Sequence, residues 1–162
     1  MRQYIHIIFT ILLITLVSGC LNDSVTVTST KQGITLRNAI NTNDHTLLTE
    51  HITLPLVVTK QEWETADDGY GYILGAKDTL LVNNSQDLTD ALRILDQVRI
   101  EGEKPLNQEF TIIDFTGEFI GIEHYWKNLE LVVFFRGQGD VEHIVVLGLD
   151  KKSAKLRAIY IN

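Results

Sequence analysis

The first apolar run in the chain extends from Ile7 to Val17, broken only by Thr10 and Thr15. It is too short to span a bilayer, which needs about 20 apolar residues, and it has the length of a signal-peptide core. Residues 21–32 then turn polar and rich in Ser and Thr, without helical periodicity, and read as a tether. Val25 and Val27 alternate with threonine, so an edge strand is the competing reading there. After Gly33, Leu36, Ala39 and Ile40 fall at helical spacing and predict a short amphipathic helix to about Asn41. Asp44 is placed to cap a second helix with Leu47, Leu48 and Ile52 on one face. Residues 54–58 predict a strand, at an edge because Pro55 cannot donate to a ladder. Residues 79–82 predict another short one. Asn84 and Asp87 mark the start of the clearest helix, striped by Leu88, Ala91, Leu92, Leu95 and Val98, with Asp90, Arg93 and Asp96 turned to solvent.

From residue 109 the period drops to two. Residues 109–115, 118–126, 129–136, 141–149 and 155–161 read as strands joined by short turn-rich links, an antiparallel meander. A bulge at Gly121 would join the second of these to its neighbour. The middle strands are apolar on both sides: Leu129, Leu131, Val133 and Phe135 alternate with Val132 and Phe134. A sheet covered on one side only would alternate apolar with polar. The second face therefore needs a cover, by a homodimer through the sheet, a protein partner or a wrapped N-terminal segment. The expected fold is α+β, with N-terminal helices packed on a curved antiparallel sheet in a single domain over residues 33–162.

Arg2, the apolar run, Ser18, Gly19 and the single cysteine, Cys20, fall in an order that resembles the lipobox of bacterial lipoproteins. The resemblance implies removal of residues 1–19, lipidation of Cys20 and a tether over residues 20–32. It also implies a cell-membrane anchor, outer-membrane and periplasm-facing in a diderm cell because Leu21 follows the cysteine. Acylation would consume a sulfur that otherwise stands unpaired in an oxidising compartment. Fully extended, the tether reaches roughly 40 Å.

Charge narrows the partners. Loss of residues 1–19 removes Arg2 and no acid, leaving 13 basic against 21 acidic residues, net −8. Nucleic acid and an anionic membrane surface both repel such a domain as a whole, which makes it a poor candidate for either, and nucleic acid is not expected as a partner. The remaining 143 residues suffice for one core held by packing, since no disulfide is available.

The element order resembles that of the NTF2-like, or cystatin-like cone, superfamily, in which a curved sheet wraps around helices and encloses a pocket. Residues 36–44, the Leu54-Pro55-Leu56 step and the strands from Glu109 onward carry the resemblance. It implies a use as isomerase, dehydratase, ligand carrier or immunity protein, and fold does not choose among these.

Polar residues on apolar strands are the candidate chemistry: His143, Asp114 and Glu123. His143 shares a strand face with Val141 and Val145 and is expected to point inward, where a buried acid would form a general acid–base pair with it. Single histidines in strands more commonly serve as hydrogen-bonded core or surface residues. Trp63, Tyr70 and Tyr72 around the Asp68-Gly69 turn suggest an aromatic rim for a ligand or partner, or aromatics that brace a hairpin. Gly69, Gly71 and Gly75 lack dinucleotide spacing, and His45, His51, His124 and His143 form no metal motif, so neither cofactor nor metal is expected. Lys151, Lys152, Lys155 and Arg157 form a basic patch at the last turn. It reads as a solvated turn, with headgroup contact conditional on where the tether holds it. The leading expectation is a non-enzymatic, lipid-anchored envelope domain that binds a protein partner or small ligand. The alternatives are a cone enzyme using His143 with an acid, and an inhibitor or immunity protein for a cationic target.

Overall fold

The computed structural model describes residues 28–65, 69, 72–105, 122–136 and 143–162. The elements are α1 (28–42), α2 (His45–His51), β1 (Ile52–Thr65), β2 (Tyr72–Val82), α3 (Ser85–Leu95), α4 (Glu123–Trp126), β3 (Leu129–Phe135), β4 (Ile144–Asp150) and β5 (Leu156–Ile161). Helices pack on one open five-stranded sheet of order β2-β1-β5-β4-β3. The class is α+β, as the sequence predicts.

Helix starts follow local chemistry. The Asp44 carboxylate accepts from Leu47 N at 3.0 Å and caps α2. Asn84 Oδ1 accepts from Gln86 N and Asp87 N at 2.9 and 3.1 Å and caps α3. Helix α1 departs from expectation. It begins at residue 28, five residues inside the segment read as tether, and Gly33 lies within it and not ahead of it. A Cβ at Gly33 would come within 2.5 Å of Val132 Cγ1, so the missing side chain lets α1 settle directly on β3. A glycine that looks like a helix boundary is here a contact point.

The sheet is mixed, which corrects the expectation of an antiparallel one. β1–β2, β3–β4 and β4–β5 are antiparallel, whereas β1 and β5 run parallel. Short links fix the antiparallel neighbours; nothing in the links shows that the last strand inserts beside the first. β1 is also far longer than residues 54–58. It pairs with β2 from Leu56↔Val82 to Thr65↔Tyr72, and its register with β5 ends at Lys60↔Ile161. The hairpin expected around Asp68-Gly69 is present as the β1–β2 pair.

Two apolar clusters lie on opposite faces of the sheet. On one, α1, α2 and α3 bury Leu36, Ile40, Leu48 and Leu95 against Val132, Phe134, Val145 and Leu147. On the other, Ile122 and Trp126 join Val57, Val133, Val146 and Tyr160, with Tyr125 partly buried against them. The doubly apolar strands thus find cover within the chain itself. Trp126 is fully buried, and a Cβ at Gly148 would come within 2.9 Å of its ring. The cross-strand pair Gly148–Ala158 leaves room for the indole. This packing also corrects the reading of residues 118–126 as a strand, because 123–126 form α4. One helical turn carries Trp126 onto the sheet, and Asn128, at φ 64°, reverses the chain into β3. Strands expected over 109–115 and 118–121 lie outside the described residues.

Candidate functional site

β3 ends at Phe135, and Arg136 N donates to His143 O at 2.9 Å, so the ladder continues one pair past the strand. Asn162 closes this end. Its N donates to Ile144 O at 3.1 Å, its Oδ1 accepts from Ile144 N at 2.6 Å, and its backbone oxygen accepts from Arg136 Nη1 at 2.8 Å. The segment after α3 approaches from the helix side. Asn41 fixes it with a reciprocal pair, Nδ2 to Ile100 O and Ile100 N to Oδ1, both at 2.9 Å. Arg99 Nη1 donates to Val98 O at 3.0 Å.

Among the described residues, Gln97, Arg99, Arg136 and His143 line the resulting recess of about 210 Å³. Burial pushes the Arg136 guanidinium below its ordinary pKa, although an arginine stays charged at neutral pH. Ion pairs among the described residues join His45 to Asp96, Lys60 to Glu62 and Arg93 to Asp90. Neither Arg99 nor Arg136 belongs to one. Two arginines therefore face a recess in a protein of net charge −7. The donors suit a carboxylate or phosphate, whose oxygens accept paired guanidinium N–H groups.

A second recess of about 360 Å³ lies at the other end of β3, against Pro55, His124, Tyr125, Lys127, Asp150 and Arg157. Its carboxylate is already engaged. Asp150 Oδ1 accepts from Ser153 N at 2.9 Å, Ser153 Oγ at 2.9 Å and Lys152 N at 3.0 Å. These bonds, led by that from the Ser153 backbone, hold the Asp150 carboxyl below its usual range.

His143 is the candidate residue that lines the first recess. Glu123 opens α4, is exposed, and lines neither recess. Cys20, Tyr70 and Asp114 lie outside the described residues. Trp63 and Tyr72 occupy the distal part of the β1–β2 hairpin, at the registers Trp63↔Leu74 and Thr65↔Tyr72. Sequence reading missed Arg99, Arg136 and Asn162. Arg136 carried a usable signal: a cation directly after a strand that is apolar on both faces must lie at the edge of the core. Among the described residues no three His, Cys, Asp or Glu side chains gather as a metal site, and no helix is long and apolar enough to cross a membrane.

Comparison with known proteins returns no matching family model, no matching curated protein and no matching solved structure.

Proposed function

We propose that the chain is a lipid-anchored cell-envelope domain that binds, without catalysing a reaction, a small ligand or protein partner presenting an anionic group. The observation that carries this reading is the recess where Arg99 and Arg136, without an ion-pair partner among the described residues, stand beside His143. An unneutralised, half-buried arginine is costly unless something pairs with it, and an incoming carboxylate or phosphate supplies the pair. The signal-peptide pattern and Cys20 support the anchor. The NTF2-like resemblance belongs to the same proposal. The two N-terminal helices, the β1–β2 hairpin, the capped helix α3 and the strands β3, β4 and β5 support it, while α4 stands where a strand was expected and residues 109–121 lie outside the described residues.

The test is thermal unfolding of the full chain with inorganic phosphate and, separately, succinate. A ligand at tenfold its Kd stabilises by about 1.4 kcal/mol, which raises Tm by several degrees in a domain of this size. The wild type is expected to show that rise with at least one of the two, and Arg99→Gln to lose it while unfolding normally without ligand. Equal Tm responses in both proteins reject the recess as the site. Steady turnover of a substrate that His143→Ala abolishes would replace this reading with the enzymatic one.

A further inference from the structure

We propose that the domain rests with one end of its sheet against an anionic lipid surface, through Lys31, Lys127, Lys151, Lys152, Lys155 and Arg157, and holds the Arg99–Arg136–His143 recess away from it. The inference rests on the lipid-anchor reading of Cys20.

Sequence alone leaves the basic turn as a solvated feature, because it does not say where the tether meets the fold. The structure supplies that point. Ser29, buried in the first turn of α1, donates from Oγ to Glu130 Oε2 at 2.7 Å. Gly33 then abuts Val132, and further on Asn41 reaches Ile100. Helix α1 therefore starts beside the first residues of β3 and advances along that strand. The register Leu129↔Asp150 sets the turn holding Lys127 next to the turn holding Lys151, Lys152 and Lys155. Arg157 follows in β5, and Lys31 lies exposed near the start of α1. The tether thus joins the fold at its basic end.

Cys20 and residue 28 are eight peptide steps apart, which limits their separation to about 29 Å. A tether of this length lets this end come down to the headgroups, where an attraction that fades over about 8 Å at physiological salt then acts on it. Among the described residues five carboxylates share the end: Glu50 just before β1 and Asp87 just after β2, at the registers Ile52↔Leu156 and Leu56↔Val82, and Glu123, Glu130 and Asp150 among the cations. Glu130 is bonded to Ser29, Asp150 is bonded within its turn, and Glu123 is exposed. Six cations outnumber them in a protein whose net charge is −7. The same surface that attracts this end repels the rest of the body, so the field orients the domain as well as holding it. Acyl chains provide residence; the basic end provides direction. The recess lies at the opposite end, where β3 finishes and β4 begins, and so opens away from the bilayer.

The experiment uses the acylated full chain in vesicles of phosphatidylglycerol with phosphatidylcholine, and in phosphatidylcholine alone. Lysine labelling by an amine-reactive reagent is read residue by residue by mass spectrometry. Lys127, Lys151, Lys152 and Lys155 are expected to label about fivefold more slowly on the anionic vesicles, and to lose that protection in 1 M salt. Lys60, Lys77 and Lys104, at the far end, should label equally on both. In K151E/K152E/K155E the chain should stay anchored while Lys127 loses protection. Equal labelling of the turn lysines on both vesicles, or protection of Lys60 and Lys104 instead, overturns the proposal. A chain whose intact mass carries no acyl group refutes the anchor and this inference with it. An acylated chain with unprotected turn lysines refutes the orientation alone.

Discussion

Where β3 begins and β4 ends, Trp126 lies over Gly148 and Ser29 pins α1 to Glu130; where β3 ends and β4 begins, Arg136, Ile144 and Asn162 meet through hydrogen bonds beside an open recess. Both ends carry positive charge in an acidic protein, but they are closed by different forces. Packing closes the first, so its lysines stand on a rigid base and point outward. Directional polar contacts close the second, and these leave guanidinium donors unspent within a concave surface. At the first end Lys31, Lys127, Lys151, Lys152, Lys155 and Arg157 are spread over several elements and suit an extended charged surface, whereas at the second Arg99 and Arg136 share one recess and suit a single anionic group.

The largest effect should come from removing the packed closure. Trp126→Ala deletes a fully buried indole and is expected to cost about 3–5 kcal/mol, a large share of a stability of about 5–15 kcal/mol. The urea midpoint of unfolding measures it. Trp126→Phe, which keeps an aromatic ring over Gly148, should lose clearly less. A loss below about 1 kcal/mol for the alanine variant would mean that the second face is closed by something other than the tryptophan.

The polar closure should be cheaper to break. Asn162→Ala removes the acceptor for Ile144 N, a buried contact at 2.6 Å, and should cost about 1–3 kcal/mol. The Arg136 bond goes to the Asn162 backbone oxygen, which alanine keeps. The stabilising response to phosphate or succinate should therefore weaken without vanishing. Its complete loss, at a small cost in stability, would show that Asn162 holds Arg136 in place for the ligand.

The sequence made the two ends unequally legible. Cap residues such as Asp44 and Asn84 act on their own neighbours, and the Leu88–Leu95 stripe follows the helical period, so α2 and α3 were readable. Strands β3, β4 and β5 were readable from alternation, and their doubly apolar pattern called for a cover on the second face. The source of that cover was not readable. A run ending in His124, Tyr125 and Trp126 has strand composition, and only the space over Gly148 makes one turn of helix the better way to bury the indole. Gly33 misled for a similar reason, since its role depends on Val132, 99 residues away. The recess was hidden because Arg99, Arg136 and His143 are distant in sequence and meet only after β4 pairs with β3 and Asn41 fixes Ile100. His143 was singled out; the arginines that give it company were not.

The smallest effect belongs to Asp150, and its sign separates charge from geometry at the basic end. Bonds from Ser153 and Lys152 hold its carboxyl below the usual range. A depressed folded-state pKa means stability that is present above the ordinary carboxylate value and lost as pH falls through the lower folded one. Wild type should therefore lose stability below about pH 4 that Asp150→Asn, which keeps an oxygen acceptor but no titrating charge, does not lose. Solvent reaches this turn, so the extra loss should stay under about 1 kcal/mol, read from urea midpoints at pH 6 and pH 3. At pH 6 the variant should already be slightly weaker, because a charged acceptor is replaced by a neutral one and the attraction of Arg157 is gone. Identical acid responses in the two proteins would mean that the carboxylate charge adds nothing and that turn geometry alone orders Lys151 and Lys152. The basic end would then keep its shape in acid, and its attraction to an anionic surface would strengthen as Asp150 loses charge.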